Sequence, residues 1–340
     1  MVRGSRARRR VVPPHDRRRQ LVADSTHYYR LYGLTVASSL VLPYRQLQGR
    51  RGRSDVQLTR APAEVFRRAG KAARDANPRS WFQSCRLPDG ATYLRWSGLF
   101  EFLIAADGRR VRYHRLKGAS RESFTVYLLG QVLSFVLLSF DIESLHGSIV
   151  VVDGKAIAFV GDCGDGKSTL GAAFVSRGYP MLTDDLIVAE ERGRGWVVHP
   201  GVPRVKLFPW VAQRLLPKQR VSTPMHNATA KLVLPLEEGQ VAGRITALKA
   251  IYVLSRPGRH ATSRTAPRVE RLSGVDAFRE IARAAFNLVI VERPRLTNHF
   301  RFATRLAARV PVRRLTYVRH LSSLPAVCDA VLADLSHRKP

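Results

Sequence analysis

Residues Gly161 to Thr169 read Gly-Asp-Cys-Gly-Asp-Gly-Lys-Ser-Thr, which contains the spacing G-x-x-x-x-G-K-[ST]. Chance would produce that spacing in roughly 1% of chains of this length at average residue usage. The chemistry it points to is phosphate binding. Glycines at 161, 164 and 166 let backbone N–H groups turn inward around an anion. A helix starting at the loop adds the positive end of its dipole. Lys167 is placed to reach β- and γ-phosphates, and the Ser168 hydroxyl to ligate Mg²⁺. The nucleotide-binding candidates are therefore Gly161, Asp162, Cys163, Gly164, Asp165, Gly166, Lys167, Ser168 and Thr169. Cys163 could gain a lowered thiol pKa at a helix N-terminus, but a small residue filling a tight turn is the plainer reading.

Two further features share the neighbourhood. Asp184 and Asp185 are adjacent carboxylates, and beside a triphosphate such a pair has two uses: holding Mg²⁺, or accepting the proton of an attacking hydroxyl. His146-Gly147 precedes the loop by about fifteen residues. The remaining histidines, His15, His27, His114, His199, His226 and His299 among them, show no metal-ligand spacing.

The elements that must position these residues are legible nearby. Apolar Ala156–Val160 reads as a strand into the loop, and Ser168–Arg177 as a helix leaving it, about 15 Å long. Gly178 is a natural residue to end that helix. Tyr179–Thr183 then reads as a returning strand that delivers Asp184 and Asp185 level with the loop, at a strand's carboxyl end, where ligands of open α/β sheets bind. Ser148–Asp153 forms a further strand before an Asp153-Gly154 turn.

Farther out, Leu34–Leu42, Ala91–Trp96, Phe100–Ala105 and Val111–His114 are short apolar runs, with Ser97-Gly98 and Asp107-Gly108 as hairpin signals. They mark a β-rich N-terminal region over 26–115. Basic, Ala-rich Arg50–Ser80 suggests a helix. Apolar Phe124–Phe140 is at the low edge of the ~20 residues that cross a bilayer and is interrupted by Gly130, Gln131, Ser134 and Ser139, so a buried core helix is expected. Near the C-terminus, Ser273 should cap a helix carrying Phe278, Ile281, Ala285 and Phe286. Val310–Val318 reads as a strand, and a helix opening near Ser322 or Ser323 carries Val327, Val331 and Leu335.

The chain has 340 residues, 45% of them hydrophobic, which suits a globular protein with a real core. Three scattered cysteines exclude a disulfide scaffold and fit a reducing cytoplasm. The net charge of +31 invites a nucleic-acid reading. Yet 48 Arg against 9 Lys are spread along the whole chain, as codon bias would spread them, and no nucleic-acid motif appears. Neither nucleic acid nor a membrane span is expected as a partner. Residues 1–25 form a basic tail, with eight Arg and one Asp in the first twenty, and too little apolar surface to offset its ordering entropy.

Taken together, Leu145-His146-Gly147, the GDCGDGKST loop, Arg177-Gly178-Tyr179 and Leu182-Thr183-Asp184-Asp185 resemble the HPr kinase family. The resemblance covers about an eighth of the chain. It implies an α/β P-loop kinase domain over 116–340, similar to phosphoenolpyruvate carboxykinase, with a smaller β-rich N-terminal region. It also implies ATP and Mg²⁺ as cofactors and a serine hydroxyl on a peptide or small protein as acceptor. Carried over residue by residue, Asp184 is the base, Ser168 and Asp185 hold the metal, Lys167 holds phosphate and His146 lines the site. Arg204 and Lys206 are secondary contacts, and a homo-oligomer is left open. The family's downstream Glu-Ile-Arg-Gly-Leu-Gly-like signature is absent, which sets HPr itself and the reverse phosphorylase reaction in question. In Pro203-Arg204-Val205-Lys206-Leu207, Tyr32-Gly33-Leu34 and the Ala247–Leu254 run, the layout is similar to HPr-kinase-like proteins of lasso-peptide gene clusters. The alternatives are a P-loop ATPase or nucleotide switch without phosphotransfer, and HPr kinase proper.

Overall fold

The computed structural model describes residues 26–50, 52–73, 80–219, 224–226, 229–258, 262, 265–290 and 292–336. The expected basic tail, residues 1–25, lies outside the described residues.

The N-terminal half is a seven-stranded sheet. Its strands are β1 (His27–Leu31), β2 (Leu34–Ser38), β3 (Val56–Arg60), β4 (Phe82–Arg86), β5 (Thr92–Trp96), β6 (Phe100–Ile104) and β7 (Arg110–Arg115), in the order β1-β2-β3-β7-β6-β5-β4. The Ser97-Gly98 and Asp107-Gly108 turns do form hairpins, β5–β6 and β6–β7. The stretch expected to be helical from Arg50 to Ser80 is shorter and mixed: β3 occupies its first part and a helix, α1, only Ala63–Ala72. Val56 and Leu58 alternate inward with period two, a strand signal obscured by the surrounding arginines.

A helix, α2 (Arg121–Leu138), crosses the back of this sheet. By length and composition it could cross a membrane, but 72% of it is buried inside the protein. Phe124, Leu128, Val132 and Val136 pack on Trp96, Phe100 and Phe102 of the sheet. Leu186 and Val188 from the second half join the same cluster, so α2 fastens the halves together. Its middle, Leu128–Val132, is a π turn. Such bulges recur at functional sites.

The second half is a mixed sheet ordered β11-β10-β8-β9-β15-β17-β16. Chain order supplies β8 (Ser144–Val152), β9 (Lys155–Val160), α3 (Lys167–Ser176), β10 (Met181–Arg192), β11 (Gly195–Val198), β12 (Arg204–Leu207), α4 (Pro209–Leu215), β13 (Pro224–His226), β14 (Thr229–Pro235), β15 (Thr246–Ser255), β16 (Arg268–Leu272), α5 (Gly274–Arg283), α6 (Arg293–Arg309), β17 (Val312–Thr316) and α7 (Leu324–Ser336). Strands β9, β15 and β17 run parallel, and the remaining pairings of this sheet are antiparallel. Helices α3 and α7 cover one face through Phe174, Val327 and Val331, while α5 and α6 cover the other through Ile281, Ala303 and Leu306. A small sheet, β12-β14-β13, flanks α3.

One C-terminal expectation needs correction, and one C-terminal helix had no counterpart in the sequence reading. The helix after Ser273 stops at Arg283, leaving Ala285 and Phe286 beyond it, and the Ser273 side chain caps nothing. The seventeen-residue α6 was not anticipated, because its buried residues are only His299, Ala303 and Leu306 among many arginines.

Candidate active site

The phosphate loop leaves β9 at Val160 and enters α3 at Lys167. Gly161, Gly164 and Gly166 have φ of 150°, 84° and 86°, a region L side chains rarely adopt. Gly166 is the residue immediately before α3, so the first orphan N–H groups of the helix face the loop. Lys167 is 6% exposed and its Nζ donates to the carbonyls of Gly161, at 3.0 Å, and Asp162, at 2.9 Å. Burial pulls its pKa below the ordinary value, against the pull of Cys163, Asp165 and the two aspartates. An ammonium folded onto its own loop in this way has a strong electrostatic reason to turn toward phosphate oxygens.

Two acidic loop residues are paired with arginines. Asp165 accepts from the Asp162 N–H at 2.7 Å and pairs with Arg319 at 2.6 Å, and Asp162 pairs with Arg283 at 3.0 Å. Cys163 is exposed, and Thr169 lies in the first turn of α3.

The aspartate pair reaches this loop by a different route from the one expected. It sits inside the twelve-residue β10, not at a strand end, and β8 lies between β10 and β9. The antiparallel register places Asp184 opposite Ser148 and Asp185 opposite Gly147. Gly147 must be small, because a Cβ there would lie 2.5 Å from the Phe159 carbonyl oxygen. That tight β8–β9 packing brings the aspartates across to the loop.

Asp184 is 6% exposed, and both its oxygens are engaged. Oδ1 accepts from Ser148 Oγ at 2.6 Å and from Ser168 Oγ at 2.8 Å, and Oδ2 from the Lys206 N–H at 3.0 Å. Ser168 thus bonds to Asp184 and not to Asp185. Asp185 points elsewhere. Its side chain, 19% exposed, pairs with Lys206 Nζ at 2.6 Å and lies 3.6 Å from His146 Nε2. Burial alone would raise its carboxyl pKa, but Lys206 and His146, with Arg204, outweigh burial and hold it below the usual carboxylate range. Its φ of 88° is costly for a non-glycine residue. Strain of that kind, just past the register shift between Met181 and Thr183, falls on the more exposed carboxylate of the pair.

His146 rests against the Phe286 ring at 5.5 Å, and burial lowers its pKa, so the neutral imidazole prevails. Arg204 and Lys206 arrive on β12, which is brought close to β10 by Gly201: a Cβ there would sit 2.0 Å from Thr183 Oγ1.

Three contributors escaped the sequence reading. Ser148 shares a face of β8 with His146, and the period-two spacing could have flagged it. Tyr32, at φ 51°, reaches from the N-terminal sheet to donate to the Leu129 carbonyl at 3.3 Å. Gly130, in the π turn of α2, leaves room for Asp185: a Cβ there would approach Asp185 Oδ2 to 3.0 Å. No local signal in the chain links these last two to the aspartates.

No group of three or more His, Cys, Asp or Glu side chains that could hold a metal occurs among the described residues. The Ser168 hydroxyl and the Asp184 carboxylate are nevertheless hard oxygen donors 2.8 Å apart. That suits Mg²⁺, which takes one or two protein oxygens when nucleotide phosphates supply others.

Over 77 residues, 23% of its length, the chain is 31% identical to HPr kinase/phosphorylase of Prosthecochloris aestuarii. Over that stretch the chain is similar to HPr kinase/phosphorylase. The match spans 22% of that relative's length. A solved HPr(Ser) kinase/phosphatase from Coxiella burnetii aligns with 57% of this chain and 99% of that one, at 12% identity and a TM-score of 0.31. No protein-family model matches the chain.

Proposed function

We propose that this chain is an ATP-dependent serine kinase with a P-loop domain of the HPr kinase type, transferring the γ-phosphate of Mg-ATP to a hydroxyl of a peptide or small protein. The observation that carries the proposal is the division of contacts between the two aspartates: one is bonded to the loop serine, and the other is strained, charged and the more exposed of the two. A nucleotide switch needs the first carboxylate but has no use for the second.

The phosphates lie along Gly161–Thr169, with Lys167 released from the Gly161 and Asp162 carbonyls to meet them. Ser168 and Asp184 hold the metal. Bound there, Mg²⁺ neutralises phosphate charge and orients the γ-phosphoryl group. The sequence resemblance made Asp184 the base and gave Asp185 to the metal; the observed contacts favour the reverse. Asp185, anionic at neutral pH, accepts the hydrogen bond of the incoming serine hydroxyl and takes its proton as the serine O–P bond forms and the bond from the γ-phosphorus to the β–γ bridging oxygen breaks, releasing ADP. Neutral His146 lines the site beside Asp185. Lys206 offsets charge between Asp185 and the transferred group. Positioning and charge neutralisation supply most of the rate.

The acceptor is read as a peptide, and the similarity in layout to kinases of lasso-peptide clusters makes a ribosomal precursor peptide the first to try. A cytoplasmic setting follows from the need for ATP. The test is transfer of labelled γ-phosphate to serine peptides by the purified protein, with Lys167→Ala as control. Wild type should label serine in a Mg²⁺-dependent way, and Lys167→Ala should lose at least ~100-fold, because phosphate loses its main cation. Equal transfer by folded Lys167→Ala, or ATP hydrolysis without transfer to any peptide, would refute the reading.

A further inference from the structure

Two surface cavities, one of them reaching Arg204, join into one trough. One, of about 460 Å³, lies between Val41–Pro43, α2 and the approach to β12, and its lining includes Arg204. The other, of about 680 Å³, continues between Ser39–Leu42, the end of β7 and the start of α2. The two share Val41, Leu42, Arg121 and Thr125, so they form a single groove. Arg204 links it to the chemistry, since its charge is felt by Asp185 and Asp184 and it donates to the Val126 carbonyl at 3.3 Å.

The halves of the groove differ in character. Near Arg204 it is apolar, lined by Val126, Val202, Val233 and Leu236, with Val41 49% exposed at the junction. At the far half the exposed cations Arg60, Arg115, Lys117 and Arg121 gather on the rim. None of these four forms an ion pair with a carboxylate among the described residues, although fifteen Arg or Lys pairs with carboxylates occur elsewhere among them. These four cations outnumber Glu122, the carboxylate on the groove's lining, and the surplus positive charge favours an anionic occupant.

We propose that this groove docks the acceptor peptide in extended form, with apolar residues beside the phosphorylated serine and acidic residues farther along the chain. The proposal rests on the kinase reading and adds the substrate's chemistry to it. The apolar half favours a peptide over a nucleic acid. Single-stranded nucleic acid binds on exposed aromatic platforms, whereas this half offers branched aliphatic side chains and prolines. Phe124 and Tyr113, the aromatics of the far half, are buried in the core.

The test uses the full-length protein and fluorescein-labelled peptides that carry one serine and a Leu-Val pair, followed or preceded by a run of either glutamates or lysines. Binding is read by fluorescence anisotropy at low and high salt. The glutamate peptides should bind at least ~10-fold tighter than the lysine peptides, from several exposed pairs each worth a few tenths of a kcal/mol, and salt should erode the difference. The combined variant Arg60→Glu, Arg115→Glu, Lys117→Glu should abolish or invert the preference while leaving Mg-ATP affinity unchanged. Equal binding of the two peptide classes, or an unchanged preference in that variant, would overturn the groove assignment. An oligonucleotide of matched charge binding more tightly than the glutamate peptides, and losing that affinity in the variant, would overturn it too. Glutamate peptides that bind in the groove but accept no phosphate would support the groove and refute the kinase reading. Peptides phosphorylated without regard to charge would do the opposite.

Discussion

On the proposed roles, Asp184→Asn and Asp185→Asn should have opposite phenotypes, and the contacts of each carboxylate set the direction. Asparagine can replace Asp184 with little loss of stability. Its Oδ1 can accept from the Lys206 N–H, now 3.0 Å from Oδ2, while its amide donates to the hydroxyl oxygens of Ser148 and Ser168. Folding should weaken by no more than ~1–2 kcal/mol, the difference between charge-assisted and neutral hydrogen bonds. What disappears is a full negative charge 2.8 Å from the Ser168 hydroxyl. If that pair holds the metal, Mg²⁺-dependent ATP affinity should fall ~10–100-fold, the cost of one charge-assisted ligand. Asp185→Asn also suits its position, since asparagine tolerates the left-handed backbone at φ 88°. It keeps the shape of the site but cannot take a proton. General-base catalysis is typically worth ~10²–10⁴-fold, or roughly 3–5 kcal/mol of barrier, so single-turnover transfer should slow by at least ~100-fold at saturating Mg-ATP. The assays are nucleotide binding with and without Mg²⁺, and rapid-quench phosphotransfer to a serine peptide. Thermal unfolding checks that each variant folds. Loss of transfer with intact binding in Asp184→Asn, and the converse in Asp185→Asn, would refute the division of roles. No change in either quantity would refute the site.

Two glycines give tests that replace no charged group. Gly130→Ala should leave stability unchanged or raise it by up to ~1 kcal/mol, because alanine is the better helix former. Its Cβ, 3.0 Å from Asp185 Oδ2, should push the carboxylate aside, so transfer should fall ~10-fold or more while Tm holds; undiminished transfer would show that the π turn does not set Asp185. Gly147→Ala should lower Tm by several degrees, since the Phe159 carbonyl 2.5 Å from the new Cβ belongs to the backbone of β9 and cannot rotate away, an overpacking cost of ~1–3 kcal/mol. An unchanged Tm would mean that β8 and β9 are not packed as described.

The local chemistry was legible in the chain. The phosphate loop and the helix behind it depend on residues adjacent in sequence, with glycine spacing that has one physical purpose, and they lie where that spacing put them. The hairpins of the N-terminal sheet and the strands Ser144–Val152 and Lys155–Val160 follow from apolar runs broken by turn residues. The buried character of Phe124–Phe140 was also there, in an apolar run too short and too interrupted for a bilayer. Helix α6 was missed because its burial is a narrow stripe under a surface rich in arginine, so composition hides the period.

The sequence also contained the two aspartates, the loop serine and the lysine, but not their division of labour. Adjacent residues on a strand point to opposite faces, so which one meets Ser168 depends on register, and register is a tertiary quantity. Pairing Asp184 with Ser148 across β8 turned that carboxylate to the loop, and the left-handed turn at Asp185 sent its neighbour toward Lys206. Tyr32 and Gly130 come within reach because the N-terminal sheet and α2 share one core with β10, a contact between segments more than fifty residues apart. Local spacing determined a glycine-rich loop that runs straight into a helix at Lys167. Long-range packing decided which carboxylate bonds to the loop serine and which pairs with Lys206, because backbone direction and strand register are settled only when the core closes.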